Sequence, residues 1–163
     1  MKQRVFILIL SCFLGACTQQ TEKQQSENNS GENNQVQRVI YRAANNKYVC
    51  PDPNKNGQLV ANRDNGGEWE TFTLINLTDN KIALRAFNDK FVSAQINING
   101  EIIASRDEIG DWEKFTLIDL GDGKAAIKAF NGRYISAQLH LNGELVANRD
   151  EAGDWEKFTL TFK

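Results

Sequence analysis

The chain has three tryptophans, and each stands between two acids. Trp69 lies between Glu68 and Glu70, Trp112 between Asp111 and Glu113, and Trp155 between Asp154 and Glu156. An indole presents a wide apolar face. A pyranose ring offers a face of axial C–H groups that fits flat on it, while its hydroxyls seek carboxylates, amides and guanidinium groups. These nine residues are therefore candidate carbohydrate ligands. Hydrolysis of a glycoside is a different task, needing one unique pair of carboxylates with separated pKa values. Here every acid beside a tryptophan has near-equivalent copies in two other settings, and three shallow sites suit binding better than catalysis. No enzymatic activity and no cofactor are expected.

The elements that must carry these residues repeat as well. "GDWEKFTL" occurs at 110–117 and 153–160, and "GEWETFTL" at 67–74, so the tryptophans recur every 43 residues. Sliding the chain by that period aligns units 35–77, 78–120 and 121–163 without a gap. "LRAFNDKFVSAQINING" corresponds to "IKAFNGRYISAQLHLNG" and "YRAANNKYVCPDPNKNG". Within a unit the apolar period is two, as in Ile82, Leu84 and Ala86 of "KIALRAF", and Asn, Asp and Gly mark the joints. Four short strands per unit make about twelve. Three open repeats would leave strand edges exposed, so the expected fold is all-β, a closed β-trefoil with six strands in a barrel and six capping one end.

Read as a strand, "WEKFTL" places Phe115 and Leu117 on the core face and Trp112 on the polar face with Lys114 and Thr116. Strict alternation then turns Glu113 away from Trp112. Either the strand begins irregularly, or Glu113 is an internal bridge and Asp111 meets the ligand. The rival reading packs each indole against the barrel and makes the domain a structural or protein-interaction module.

"NDKFVSA" followed by "GEIIASRDEIGDWEKFTL" resembles the fascin-type β-trefoil repeat, with its "KYV" strand, "NR" turn and G-x-W-E-x-F segment, three times over 35–163. It is also similar to the family-92 carbohydrate-binding modules. That resemblance implies a non-catalytic module for polysaccharide, a β-glucan among the candidates, with ligand binding by Trp69, Trp112 and Trp155 and by Glu70, Glu113 and Glu156. Fascin-like trefoils also include actin-bundling proteins, which the interaction reading would match.

Other motifs read as structural. The Arg–Asp pairs 63–64, 106–107 and 149–150 either fix a turn or reach a ligand. Cys50 stands opposite Ser93 and Ser136, a small residue in a small slot. "DPNKNG" at 52–57 imitates the start of a calcium loop but lacks its closing Glu, so a β-turn and no metal site are expected. His140 corresponds to Asn97 and Asn54 in a turn.

The first sixteen residues resemble a bacterial lipoprotein signal: a basic "MKQR", the twelve-residue apolar run "VFILILSCFLGA", then Cys17. Cys12 is a rival acceptor with a shorter apolar run before it. Residues 17–34 are expected to be the lipidated cysteine and a disordered tether, since 18–34 hold no large apolar residue. The expected location is the cell envelope, anchored to a bacterial outer membrane or cell surface, with membrane contact through the lipid alone. The chain carries a net charge of -2, and Lys2 and Arg4 are the only charges before Cys17. Nothing in that balance supplies the basic patch of a nucleic-acid binder. The expected partner is an oligosaccharide or polysaccharide, in the company of a polysaccharide-degrading system.

Overall fold

The structure is a computed structural model that describes residues 36–163. The expected signal segment, Cys17 and the tether lie outside the described residues. The first unit contributes β1 (Gln37–Arg42), β2 (Tyr48–Asp52), β3 (Gln58–Arg63) and β4 (Thr71–Asn76). The second contributes β5 (Ile82–Arg85), β6 (Phe91–Gln95), β7 (Glu101–Arg106) and β8 (Thr116–Gly121). The third contributes β9 (Lys124–Lys128), β10 (Tyr134–Gln138), β11 (Glu144–Arg149) and β12 (Phe158–Phe162).

Six strands close on themselves. β1 pairs with β4, β4 with β5, β8 with β9, β9 with β12, and β12 with β1. The last gap is bridged where Ile82 and Phe115 exchange both backbone hydrogen bonds at 2.9 Å. The other six strands form hairpins β2–β3, β6–β7 and β10–β11, each with a register shift at its start. Their inner strands β3, β7 and β11 pair with one another. Twelve antiparallel strands, half in a closed barrel and half in a three-hairpin cap, make a β-trefoil.

Closure of the cap explains three glycines. The backbone N–H of Ala104 donates to the carbonyl of Gly57, that of Ala147 to Gly100 and that of Ala61 to Gly143, at 2.7–2.9 Å. Each glycine has a positive φ, and a Cβ on it would meet the facing alanine carbonyl oxygen at 2.5–2.7 Å. Only glycine tolerates both conditions. The core repeats with the same period: Phe72, Phe115 and Phe158 are fully buried, ringed by Val49, Val92 and Ile135 and by Leu59, Ile102 and Leu145. Tyr41 occupies the core position that Leu84 and Ile127 fill in the sister units, and its ring meets Phe72 edge-on at 5.8 Å.

One expectation is corrected. The fourth strand of each unit does not begin at the tryptophan. β4 starts at Thr71, β8 at Thr116 and β12 at Phe158, and the tryptophans precede them in a tight turn, which in the third unit is a single 3-10 turn, Asp154–Glu156. The turns sit where β4, β8 and β12 leave the cap, at the end of the barrel opposite the 77–81 and 121–123 connections. The strand rule for side-chain direction therefore does not apply to the indoles.

Candidate functional site

Each tryptophan turn is held by the acid that follows the ring. Glu70, Glu113 and Glu156 are buried, and the Oε2 of each accepts the backbone N–H of Gly67, Gly110 or Gly153 at 2.8 Å. A carboxylate three residues after a free turn amide satisfies a donor that would otherwise be orphaned. One oxygen of each expected ligand-binding Glu is thus committed to the fold. The other oxygen faces an arginine in two units: Oε1 lies 3.9 Å from Nε of Arg106 for Glu113 and 3.8 Å from Nε of Arg149 for Glu156.

The acid that precedes each ring is exposed and ion-paired. Asp111 takes Lys114 Nζ at 3.0 Å and Asp154 takes Lys157 Nζ at 3.0 Å. Thr71 stands at that lysine position in the first unit, and Glu68 instead pairs with Arg38 of β1. The hydrogen bond from Arg38 holds the Glu68 carboxyl below the usual carboxylate value, and Lys157 does the same for Asp154. Glu68 and Asp154 therefore stay ionised beside their indoles at neutral pH.

The indoles themselves reach solvent. Trp69 is 56% exposed and Trp155 41%, while Trp112 is half-buried. The cleft at Trp112 is lined by Arg106, Gly110, Asp111 and Glu113, and the one at Trp155 by Arg149, Glu151, Gly153, Asp154 and Glu156. Both are open and shallow, about 360 and 480 Å³. Each offers a ring face, an ion-paired acid and a half-exposed guanidinium, a set chemically suited to a ring with equatorial hydroxyls and apolar C–H faces.

The arginines are functional candidates that the tryptophan pattern alone does not reveal. The Arg–Asp dipeptides do not pair internally. Asp64, Asp107 and Asp150 bind Lys47, Lys90 and Arg133 across the hairpin, which fixes the turn before β2, β6 and β10. That leaves Arg106 and Arg149 directed toward the tryptophan clefts. In the first unit Nε of Arg63 donates instead to Sγ of Cys50 at 3.2 Å. Cys50 is buried like Ser93 and Ser136, and burial raises its thiol pKa. Asp52 caps the 3-10 turn Pro53–Lys55 by accepting the N–H of Asn54 at 3.0 Å, so its carboxylate closes a turn. Among the described residues no group of three His, Cys, Asp or Glu side chains is placed to hold a metal. His140 lies beside Trp155, ring centroids 6.2 Å apart.

Comparison with known proteins places the chain. A family model described as "Domain of unknown function (DUF7910)" matches residues 31–143. The chain belongs to the DUF7910 family. No curated relative matches it. Solved structures similar to this DUF7910 protein are β-trefoils. A designed three-fold symmetric protein, ThreeFoil, superposes with a TM-score of 0.68 at 18% identity, over 76% of this chain and 97% of that one. The Polyporus squamosus lectin, solved with a human-type influenza-binding epitope, gives 0.66 at 15% identity, over 78% of this chain and 48% of that one. SeviL, solved with an asialo-GM1 saccharide, gives 0.62 at 15% identity, over 77% and 97%. At these identities the likeness establishes the trefoil, and two of the three neighbours were solved with a saccharide bound.

Proposed function

We propose that this DUF7910 trefoil is a non-catalytic carbohydrate-binding module with up to three tryptophan-centred sites, carried on a surface-anchored lipoprotein. The observation that carries the reading is the recurrence, at one end of the barrel, of a tryptophan turn that brings an indole to the surface beside an exposed, ion-paired acid. The buried Glu of each turn fixes the backbone that carries the ring, and the exposed Glu68, Asp111 and Asp154 meet hydroxyls. A packed-tryptophan interaction module has less support, because burying two rings that are 41–56% exposed would require another element over them. A β-glucan is the glycan class implied by the resemblance to family-92 modules. The anchor on Cys17 would hold the module at the envelope within reach of polysaccharide.

A single indole with a few hydrogen bonds makes a weak site, near millimolar, or about -4 kcal/mol. A long polymer can engage a second site intramolecularly. Retention in glucan gels should therefore fall in part for Trp69→Ala, Trp112→Ala or Trp155→Ala, and vanish for the triple variant while its circular dichroism stays β-rich. A folded triple variant retarded like the parent would refute the platform, and a parent that binds no member of a broad glycan panel would refute the module. Cys17→Ala should release the protein from the membrane fraction; sedimentation of that variant with membranes would refute the anchor.

A further inference from the structure

The first site is built differently from the other two, and the differences run in one direction. In the second unit the N–H of Ala94 donates to the carbonyl of Trp112 at 2.9 Å and ties the tryptophan turn to β6. Pro51 stands at that position in the first unit and has no N–H to give. The Trp69 turn therefore lacks that tie, and Trp69 is the most exposed of the three indoles. Its ring instead stacks on Phe87, in the turn after β5 of the next unit, with centroids 5.3 Å apart and planes within 7°. Phe87 also lines an open cleft of about 440 Å³ between the first and second units, with Pro51, Pro53, Asn56, Asn88, Lys90 and Ser105. The prolines that build this cleft are absent elsewhere, and its aromatic is kept at only one of the other two junctions. Pro51 and Pro53 become Ala94 and Ile96, then Ala137 and Leu139; Phe87 becomes Phe130, then Ala44 where the third unit meets the first.

Resting on the carbohydrate-binding reading above, we propose that the Trp69 site continues across Phe87 into this cleft and holds two or more consecutive residues of one glycan chain. The Trp112 and Trp155 sites hold one residue each. The cleft has a composition suited to a sugar ring: an aromatic wall, the exposed face of Pro53 above the buried Pro51, and at its rim the Asn56 amide, the Ser105 hydroxyl and the Lys90 ammonium paired with Asp107. Its volume lies within the range of small-ligand sites, about 300–1,000 Å³. The aromatic pair supplies continuity, because the same ring backs the exposed indole and borders the cleft. The stack also holds Trp69 in place, which lowers the ordering cost of binding.

The test uses the full chain in detergent and follows its three indole N–H signals by NMR, assigned with the single Trp→Ala variants. A disaccharide and a hexasaccharide of β-linked glucose are the probes. The expected result is disaccharide affinity at Trp69 no lower than at the other two sites, and hexasaccharide affinity there about tenfold above theirs. Phe87→Ala and Pro53→Ala should each remove that advantage, while Phe130→Ala leaves it. Pro53 is not part of the Trp69–Phe87 stack, so its variant separates the cleft from the stack. Equal hexasaccharide affinity at all sites, or Phe87→Ala and Phe130→Ala with the same effect, would overturn the extended site and leave the module intact. If neither sugar shifts any indole signal, and a broad glycan panel gives none either, the module itself is overturned.

Discussion

Trp69 and Trp112 occupy corresponding places 43 residues apart, and their surroundings share little beyond the buried glutamate. Around Trp112 the turn is tied to β6, the arginine faces the glutamate, and the preceding acid pairs with a lysine three residues on. Around Trp69 a proline removes the tie, the arginine turns to a thiol, and the preceding acid pairs with β1. The first unit also departs inside the core, where Tyr41 replaces Leu84 and Ile127. The layer nearest the axis has hardly changed: the phenylalanines, the cap glycines and their alanine partners are identical in all three units. Core residues from three units meet in one space, so a change in any of them disturbs the other two. A rim residue touches only its own turn and one neighbour, and it is free to change. Symmetry is thus enforced by packing at the centre and relaxed where ligands would be met.

The largest expected effect tests the shared centre. Phe115→Ala should destabilise the domain by about 3–5 kcal/mol, the usual range for a fully buried phenylalanine. Phe72→Ala and Phe158→Ala should fall in the same range. Trp69→Ala should cost no more than about 1 kcal/mol. Urea unfolding followed by far-UV circular dichroism gives these differences. A Trp69→Ala loss as large as that of Phe115→Ala would mean that the rim is part of the core and the contrast is false.

Next comes the glutamate common to all three turns. Glu113→Ala leaves the Gly110 N–H without its acceptor, a loss of about 1–3 kcal/mol. Glu70→Ala and Glu156→Ala should match it, since all three make the same 2.8 Å bond. The same variants should also loosen the indoles, seen as sharper indole N–H signals. Unequal losses, with Glu70→Ala near zero, would show that the first turn is held by Thr71, whose hydroxyl donates to the carbonyl of Gly67 at 2.7 Å.

Much of this centre is legible in the sequence because packing writes a period. A 43-residue repeat, alternation by two and Gly-Asn joints are all consequences of three like hairpins meeting on one axis. The tryptophan turn misleads because "WEKFTL" alternates well enough to pass for a strand throughout. Its signal is the Glu three residues after Gly67, Gly110 and Gly153, a spacing that closes a turn rather than extends a chain. Two features are not legible. Arg63 has the same neighbours in sequence as Arg149, Asn before and Asp after, and only a side-chain choice sends it to Cys50. The Trp69–Phe87 stack joins residues of different units, and no periodicity encodes which turn of one unit meets which ring of another.

A smaller and opposite effect should come from Tyr41. Among the described residues its buried hydroxyl has no hydrogen-bond partner, in a core otherwise made of aliphatic and phenyl groups. Removing an unsatisfied polar group recovers its desolvation cost, so Tyr41→Leu, the residue at Leu84, should stabilise by about 1 kcal/mol. Burial also raises the tyrosine pKa far above its ordinary value. The unfolded chain releases that proton near pH ~10 and the folded chain does not. Stability from this group is therefore complete below pH ~10 and is lost as pH rises above it. Tyr41→Leu should flatten that alkaline decline. A destabilised Tyr41→Leu with the decline unchanged would mean that ring volume, not the hydroxyl, sets the site.

The smallest effect on stability concerns the diverted arginine, and it bears most directly on the comparison. Ser93 and Ser136 each accept a hydrogen bond at 3.1 Å, from the side-chain amide of Gln95 or Gln138. In the first unit Asp52 replaces that glutamine and turns away to cap Asn54, which leaves the thiol to Arg63. The double variant Cys50→Ser, Asp52→Gln rebuilds the sister arrangement. The introduced hydroxyl gains an amide donor, the turn loses a cap, and the two changes, each about 1 kcal/mol, should nearly cancel. Arg63 is then free to swing toward Glu70, as Arg106 and Arg149 approach Glu113 and Glu156. A crystal structure of the variant should place Nε of Arg63 about 4 Å from Oε1 of Glu70, within ion-pair range. If the arginine keeps its original place beside the introduced hydroxyl, the thiol does not hold it, and Pro51 with the displaced Trp69 turn accounts for the divergence of the first unit.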